Sequence, residues 1–167
     1  VIFADTKAEP EEVYDAVEED RAACEAVGVP FHVVSKGDLS ATDAWGGVYI
    51  PAHTLSADGS TGMLRRQCTQ EFKIRPIQRK LRELGATAKD PVELWLGIST
   101  DEAVRMRDAR VRYTMHRYPL VEIGWSRDAC LAYLESLGVT ATKSACVFCP
   151  YRSASEWRRI KASPNDW

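Results

Sequence analysis

Two cysteines stand at C-x-x-C spacing in Ser144-Ala145-Cys146-Val147-Phe148-Cys149-Pro150-Tyr151. Two intervening residues let both sulfurs face one centre from a single tight turn. That geometry suits a tetrahedral zinc, an iron–sulfur cluster or a redox disulfide. Pro150 removes an amide donor and stiffens the exit. A third cysteine, Cys68, lies in Arg65-Arg66-Gln67-Cys68-Thr69, just before Lys73 and Arg75. Those cations either form a solvated helix face or hold phosphate or sulfate oxygens through charge-assisted hydrogen bonds. Arg79, Lys80 and Arg82 read as solvated helix face. Carboxylates and hydroxyls follow apolar runs at Asp5-Thr6 and at Ser99-Thr100-Asp101-Glu102, the second with Arg105 close behind. Polar groups at strand carboxyl ends are where open α/β sheets bind ligands.

The elements that position these residues alternate. Val1-Ile2-Phe3-Ala4 reads as a buried parallel strand. Pro10 and the acidic Glu9, Glu11 and Glu12 open a helix that Gly28 stops. Cys24 lies on its apolar face and reads as a core residue. Phe31-His32-Val33-Val34 is a second strand, with His32 structural. Residues 36–67 form a long glycine-rich substrate or lid loop, with a brief strand-like Val48-Tyr49-Ile50 and a surface His53. Ile74, Ile77, Leu81 and Leu84 mark a helix ending at Gly85. Val92–Ile98 is a third strand and Leu120-Val121-Glu122-Ile123 a fourth. Ser126 caps a helix that turns Cys130 inward, and Ser153-x-x-Glu156 is a capping box opening the last helix. The pattern predicts one α/β domain over residues 1–167, with a doubly wound, mostly parallel sheet in three α/β/α layers. Its C-terminal helices span 126–162 and carry the C-x-x-C turn.

Bulk composition narrows the classes. The 167 residues suffice for one core, and the net charge of −2 gives no global basic field of a dedicated nucleic-acid binder. No apolar run is long enough to cross a bilayer. Five cysteines, an odd number without framework spacing, point to a reducing, cytoplasmic setting.

The motifs together resemble a family. Phe3-Ala4-Asp5-Thr6 with Glu9-Pro10 and Val13-Tyr14 resembles the Asp-Thr-x-x-x-Pro-Glu segment of the phosphoadenylyl-sulfate (PAPS) reductase-like family, within the adenine nucleotide alpha hydrolases. Arg66-Gln67-Cys68-Thr69 followed by Lys73-Ile74-x-Pro76-Ile77 resembles its cysteine and basic anion-binding stretch. Gly97-Ile98-Ser99-x-Asp101-Glu102-x-x-Arg105 resembles the segment after a later strand. Pro119-Leu120-Val121-Glu122-x-x-Trp125 is similar to the step before the final helices.

The resemblance implies ATP or another adenylyl nucleotide, with Mg²⁺, at the strand ends. The family's glycine-rich phosphate loop would precede Val1, so the first strand and that loop are expected to lie outside this chain. True PAPS reductases resemble one another in a catalytic C-terminal cysteine, and no cysteine follows Cys149. The cysteines instead resemble those of ATP pyrophosphatases and sulfurtransferases that carry a 4Fe–4S cluster. The implied ligands are Cys68, Cys130, Cys146 and Cys149, with zinc as the alternative. Asp5, Thr6, Arg66, Lys73 and Arg75 would line the nucleotide site, and Asp5, Asp101, Glu102 and Arg105 would position phosphate or Mg²⁺ for catalysis. The implied partners are a sulfur donor such as a cysteine desulfurase, a nucleic-acid acceptor and a second copy of the chain in a homodimer. The alternatives are a sulfonucleotide reductase whose catalytic tail is expected to lie outside this chain, and a non-catalytic metal-bound module that reads nucleic acid or senses redox state.

Overall fold

Ile2–Asp5 forms β1, where apolar residues give way to Asp5 and Thr6. Lys7 then takes a left-handed conformation, φ 59°. That conformation is uncommon for a side chain with a Cβ, and here it is held by Asp5, which accepts from the Lys7 amide at 2.7 Å. Helix α1, Glu11–Ala26, starts after Pro10 with Glu11 and Glu12 in its first turn, and buries Val13 and Val17 one turn apart. Gly28, φ 71°, ends it. The chain returns as β2, His32–Ser35, parallel to β1 with Ile2 opposite His32 and Asp5 opposite Ser35. This is the expected strand–helix–strand unit, a mixed α/β beginning.

The structure is a computed structural model and describes residues 1–41 and 50–167. Of the strand-like stretch expected at Val48-Tyr49-Ile50, Val48 and Tyr49 lie outside the described residues. Within the expected long loop, β3 (His53–Leu55) and β4 (Thr61–Met63) pair as an antiparallel hairpin. Its turn is set by Asp58, which accepts from the Ser60 amide at 2.9 Å, and by Gly59 at φ 82°. Thr69–Ile74 is a π-helical turn that runs directly into α2, Arg75–Glu83. Wide turns of this kind are short and frequent at functional sites.

Two compact units result. The first joins Val1–Arg79 with Thr142–Trp167, and the second is Lys80–Ala141. In the first, Ala8, Leu39 and Phe72 form a buried apolar cluster, with Ile50, Cys68, Cys146 and Phe148 packed against it. Helix α5, Ala154–Ala162, belongs here and opens with the expected capping box.

In the second unit β5 (Val92–Trp95) and β6 (Thr114–Arg117) pair in parallel, Val92 opposite Thr114. A 3₁₀ turn, Thr100–Arg105, lies between them. The expected strand at Leu120–Ile123 is corrected here. Those residues lie in and at the end of a one-turn helix, α3, Pro119–Glu122. Pro119 supplies helical φ at the first position, and the Tyr118 carbonyl accepts from the Val121 and Glu122 amides. A short apolar run does not distinguish strand from helix by periodicity. The strand lies just before it, in the polar Thr114–Arg117. Helix α4, Arg127–Ser136, is capped by Ser126, whose hydroxyl accepts from the Ala129 amide at 3.2 Å. Among the described residues, the strands form three two-stranded sheets, and no helix is long and apolar enough to cross a membrane.

Candidate functional site: a buried carboxylate beside the C-x-x-C turn

The first unit gathers several of the sequence candidates around one residue that sequence reasoning had assigned to a helix dipole. Glu9 has a fully buried side chain, and Oε1 accepts from Lys73 Nζ at 2.9 Å. The same oxygen accepts from Thr6 Oγ1 at 3.3 Å, and Oε2 accepts from Ser144 Oγ at 3.1 Å. Thr6 is wholly buried, and its hydroxyl lies 3.5 Å from Cys146 Sγ. Cys146 Sγ is 4.0 Å from Glu9 Oε1. The β1–α1 junction supplies Thr6 and Glu9, the π-helical turn supplies Lys73, and the stretch before and within the C-x-x-C turn supplies Ser144 and Cys146. A buried carboxylate with several donors is what burial of a charge demands.

The turn is fastened from both sides. The Val147 amide donates to the Ala8 carbonyl at 2.8 Å, stitching the turn to the β1–α1 junction. The Cys149 amide closes on the Cys146 carbonyl at 3.0 Å. Arg152, with its side chain fully buried, donates Nε–H to the Cys146 carbonyl at 3.1 Å and Nη2–H to the Ala145 carbonyl. Three residues beyond Cys149, it was not singled out from sequence. A solitary arginine after a turn carries no pattern. Nε and Nη2 on backbone carbonyls make a positioning arrangement, while Nη1 is buried with no hydrogen-bond partner among the described residues.

Electrostatics at the thiol are opposed. Burial pushes the Cys146 thiol up. The Thr6 hydrogen bond and the Lys73 charge work against that, while the Glu9 and Cys68 charges add to it. Asp5 is ionised more readily than usual. Burial disfavours its charge, but hydrogen bonds from Lys7 and Tyr14 and the Lys7 ammonium 2.8 Å away outweigh it. The Tyr14 phenol, half-buried and donating to Asp5 Oδ1 at 3.0 Å, is pushed up to about 12, first by that burial.

The remaining candidates fall as follows. Cys68 packs on the same apolar cluster as Cys146. Arg66 lies over the Tyr151 ring at 5.3 Å, a cation–π contact. Arg75 pairs with Glu71 at 2.7 Å. Asp101, Glu102, Arg105 and Cys130 belong to the second unit. There Arg105 pairs with Glu102, and Asp101 accepts from the Arg127 amide and from Ser99 Oγ. Cys130 is half-buried on α4.

All five cysteines are free thiols. The donor chemistry fits a soft metal. Cysteine sulfurs are soft donors, and Cys68, Cys146 and Cys149 belong to one unit. Among the described residues, no three His, Cys, Asp or Glu side chains are gathered closely enough to hold an ion as they stand. Comparison with protein-family models, curated proteins and solved structures returned no match to this chain.

Proposed function

We propose that this chain carries the thiolate and nucleotide site of an iron–sulfur-dependent, adenine-nucleotide-using enzyme resembling the PAPS reductase-like family, most nearly an ATP pyrophosphatase that adenylates an acceptor for sulfur transfer. The reading includes a doubly wound sheet in three layers and a reducing, cytoplasmic setting. One observation carries it. Thr6, Lys73, Cys68 and Cys146, nominated from separate stretches of sequence, belong to one unit, and three of them meet at Glu9.

Cys68, Cys146 and Cys149 would hold the group. When bound, a 4Fe–4S cluster would supply thiophilic iron and one-electron chemistry. The chain's own residues do the rest. Lys73 balances the Glu9 charge, so that the Cys146 sulfur does not face an uncompensated carboxylate. The Thr6 hydroxyl lies within reach of both that sulfur and Glu9 Oε1. Asp5, kept ionised by Lys7 and Tyr14, offers hard oxygens to Mg²⁺ beside the nucleotide. The charge of an adenylation transition state develops on phosphate, which is where such groups would act.

The test is anaerobic purification of the full-length protein, with iron and sulfide measured per chain and pyrophosphate release from ATP assayed. The expected result is a brown protein that releases pyrophosphate. A colourless protein with stoichiometric zinc overturns the cluster, and sulfite release from phosphoadenylyl sulfate overturns adenylation in favour of the reductase.

A further inference from the structure

A cleft of about 220 Å³ opens where β2 ends, lined by Ser35, Lys36, Glu71, Arg75, Pro76 and Arg79. None of its lining residues takes part in the buried Glu9 centre. Its walls hold three cations and one carboxylate. Glu71 Oε2 accepts from Lys36 Nζ at 2.8 Å and from Arg75 Nη1 at 2.7 Å. One carboxylate therefore fixes two cations on the same rim and neutralises only one of them. The Arg79 side chain, one turn along α2 from Arg75, is exposed and makes no hydrogen bond or ion pair among the described residues. Two positive charges are left over in a concave site at the carboxyl end of a parallel strand pair, where α/β folds place ligands. Ser35 forms part of the wall, its hydroxyl donating to the Asp5 carbonyl at 2.8 Å.

We propose that this cleft binds a phosphate or pyrophosphate group, with Arg79 as the free arm that closes on it and Lys36 and Arg75 as preset donors. Its size decides the scale of the ligand. Whole small molecules need roughly 300 Å³ or more, so the cleft takes a charged group rather than a nucleoside. Arginine forks match phosphate oxygens in pairs, and each charge-assisted bond is stronger than a neutral one. The cleft also backs onto the thiol centre. Lys36 Nζ lies 5.1 Å above the Phe72 ring, and Phe72 is in the apolar cluster on which Cys68 and Cys146 pack. The proposal deepens the nucleotide reading, and rests on it only for the source of the phosphate.

The experiment is calorimetric titration of the full-length protein with orthophosphate, pyrophosphate and ATP, in the wild type, Arg79→Ala, Lys36→Ala and the control Arg158→Ala, an exposed arginine elsewhere. The expected outcome is binding that Arg79→Ala and Lys36→Ala each weaken about tenfold, that the control leaves unchanged, and that added salt weakens. ATP binding tighter than pyrophosphate identifies a nucleotide as the source, and equal affinities identify a free phosphate. Affinity unchanged in both cleft variants, or no binding of any of the three anions, overturns the proposal. None of these readouts requires a cluster. A colourless protein that binds pyrophosphate through Arg79 retains the cleft and loses the cluster, and a brown protein indifferent to Arg79 does the reverse.

Discussion

Lys73 Nζ stands 2.9 Å from Oε1 of Glu9, a carboxylate with no exposed side-chain surface. The two are separated by 64 positions in sequence, so the pair fastens the π-helical turn to the β1–α1 junction. A buried charge that loses its partner costs more than the pair contributes.

Glu9→Gln is therefore expected to lower stability by about 2–3 kcal/mol, because Lys73 keeps its charge in a half-buried site. Lys73→Met should cost a similar amount, and the double variant less than the sum of the two. Urea unfolding of the four proteins measures this, and strict additivity would show that the ion pair contributes nothing.

Arg152 holds the carbonyls of Ala145 and Cys146. Replacing it with Met keeps much of the volume but takes the donor from the Ala145 carbonyl and leaves the Cys146 carbonyl with the Cys149 amide alone, at about 2 kcal/mol. The turn loosens, and Cys146 and Cys149 in metal-free protein should react faster with a thiol reagent than in the wild type. An unchanged reaction rate together with an unchanged urea midpoint would remove the clamp from the account.

The Cys146 thiol is pushed above its ordinary 9.0, first by burial and then by the Glu9 and Cys68 charges, against Thr6 and Lys73. In metal-free protein its alkylation should rise with pH later than that of a free thiol. Lys73→Met should move the midpoint further up and Glu9→Gln should move it down. The linkage sign follows. The folded chain keeps this proton more tightly than the unfolded one, so its contribution is full below the ordinary value and is lost as pH rises through the folded one. Cys146→Ser should flatten the stability profile on the alkaline side.

Glu156 behaves oppositely. The Lys143 ammonium, 2.8 Å away, and the Ser153 amide and hydroxyl bring its carboxyl down to about 2. Its contribution to α5 is present above the ordinary carboxyl value and is lost as pH falls through about 2. Between pH 4.5 and about 2, Glu156→Gln should show a shallower acid loss of urea resistance than the wild type. Parallel profiles would mean the capping box does not titrate with folding.

Much of this was legible in the residues. The first strand–helix–strand unit, the stop at Gly28, the Ser126 cap and the box at Ser153 follow from local chemistry that tertiary packing did not override. Thr6, Lys73, Cys68 and Cys146 were nominated from residue type and neighbourhood. Glu9 was not, because an acidic residue before Pro10 is already explained by the helix dipole. Only the fold shows that its carboxylate turns inward. In sequence Arg79 reads as solvated helix face, since an exposed arginine on a helix carries no sign of the cleft beside it. The polar Thr114–Arg117 hid a strand. The apolar Leu120–Ile123 imitated one, because four residues hold too little periodicity to separate the two.

The first unit is discontinuous in sequence, and Cys146 lies 137 positions after Glu9. A ribosome delivers the chain from its amino end at about 5–20 residues per second. The Glu9 carboxylate thus emerges on the order of ten seconds before the turn that gives it Ser144 and Cys146. Until then the β1–α1 junction also lacks Val147 as a donor to Ala8. The thiol centre is thus a late joint. Cys68 cannot meet the turn until Cys146 and Cys149 have emerged, and a translational pause after Cys68 would lengthen the time in which its sulfur is open to oxidation.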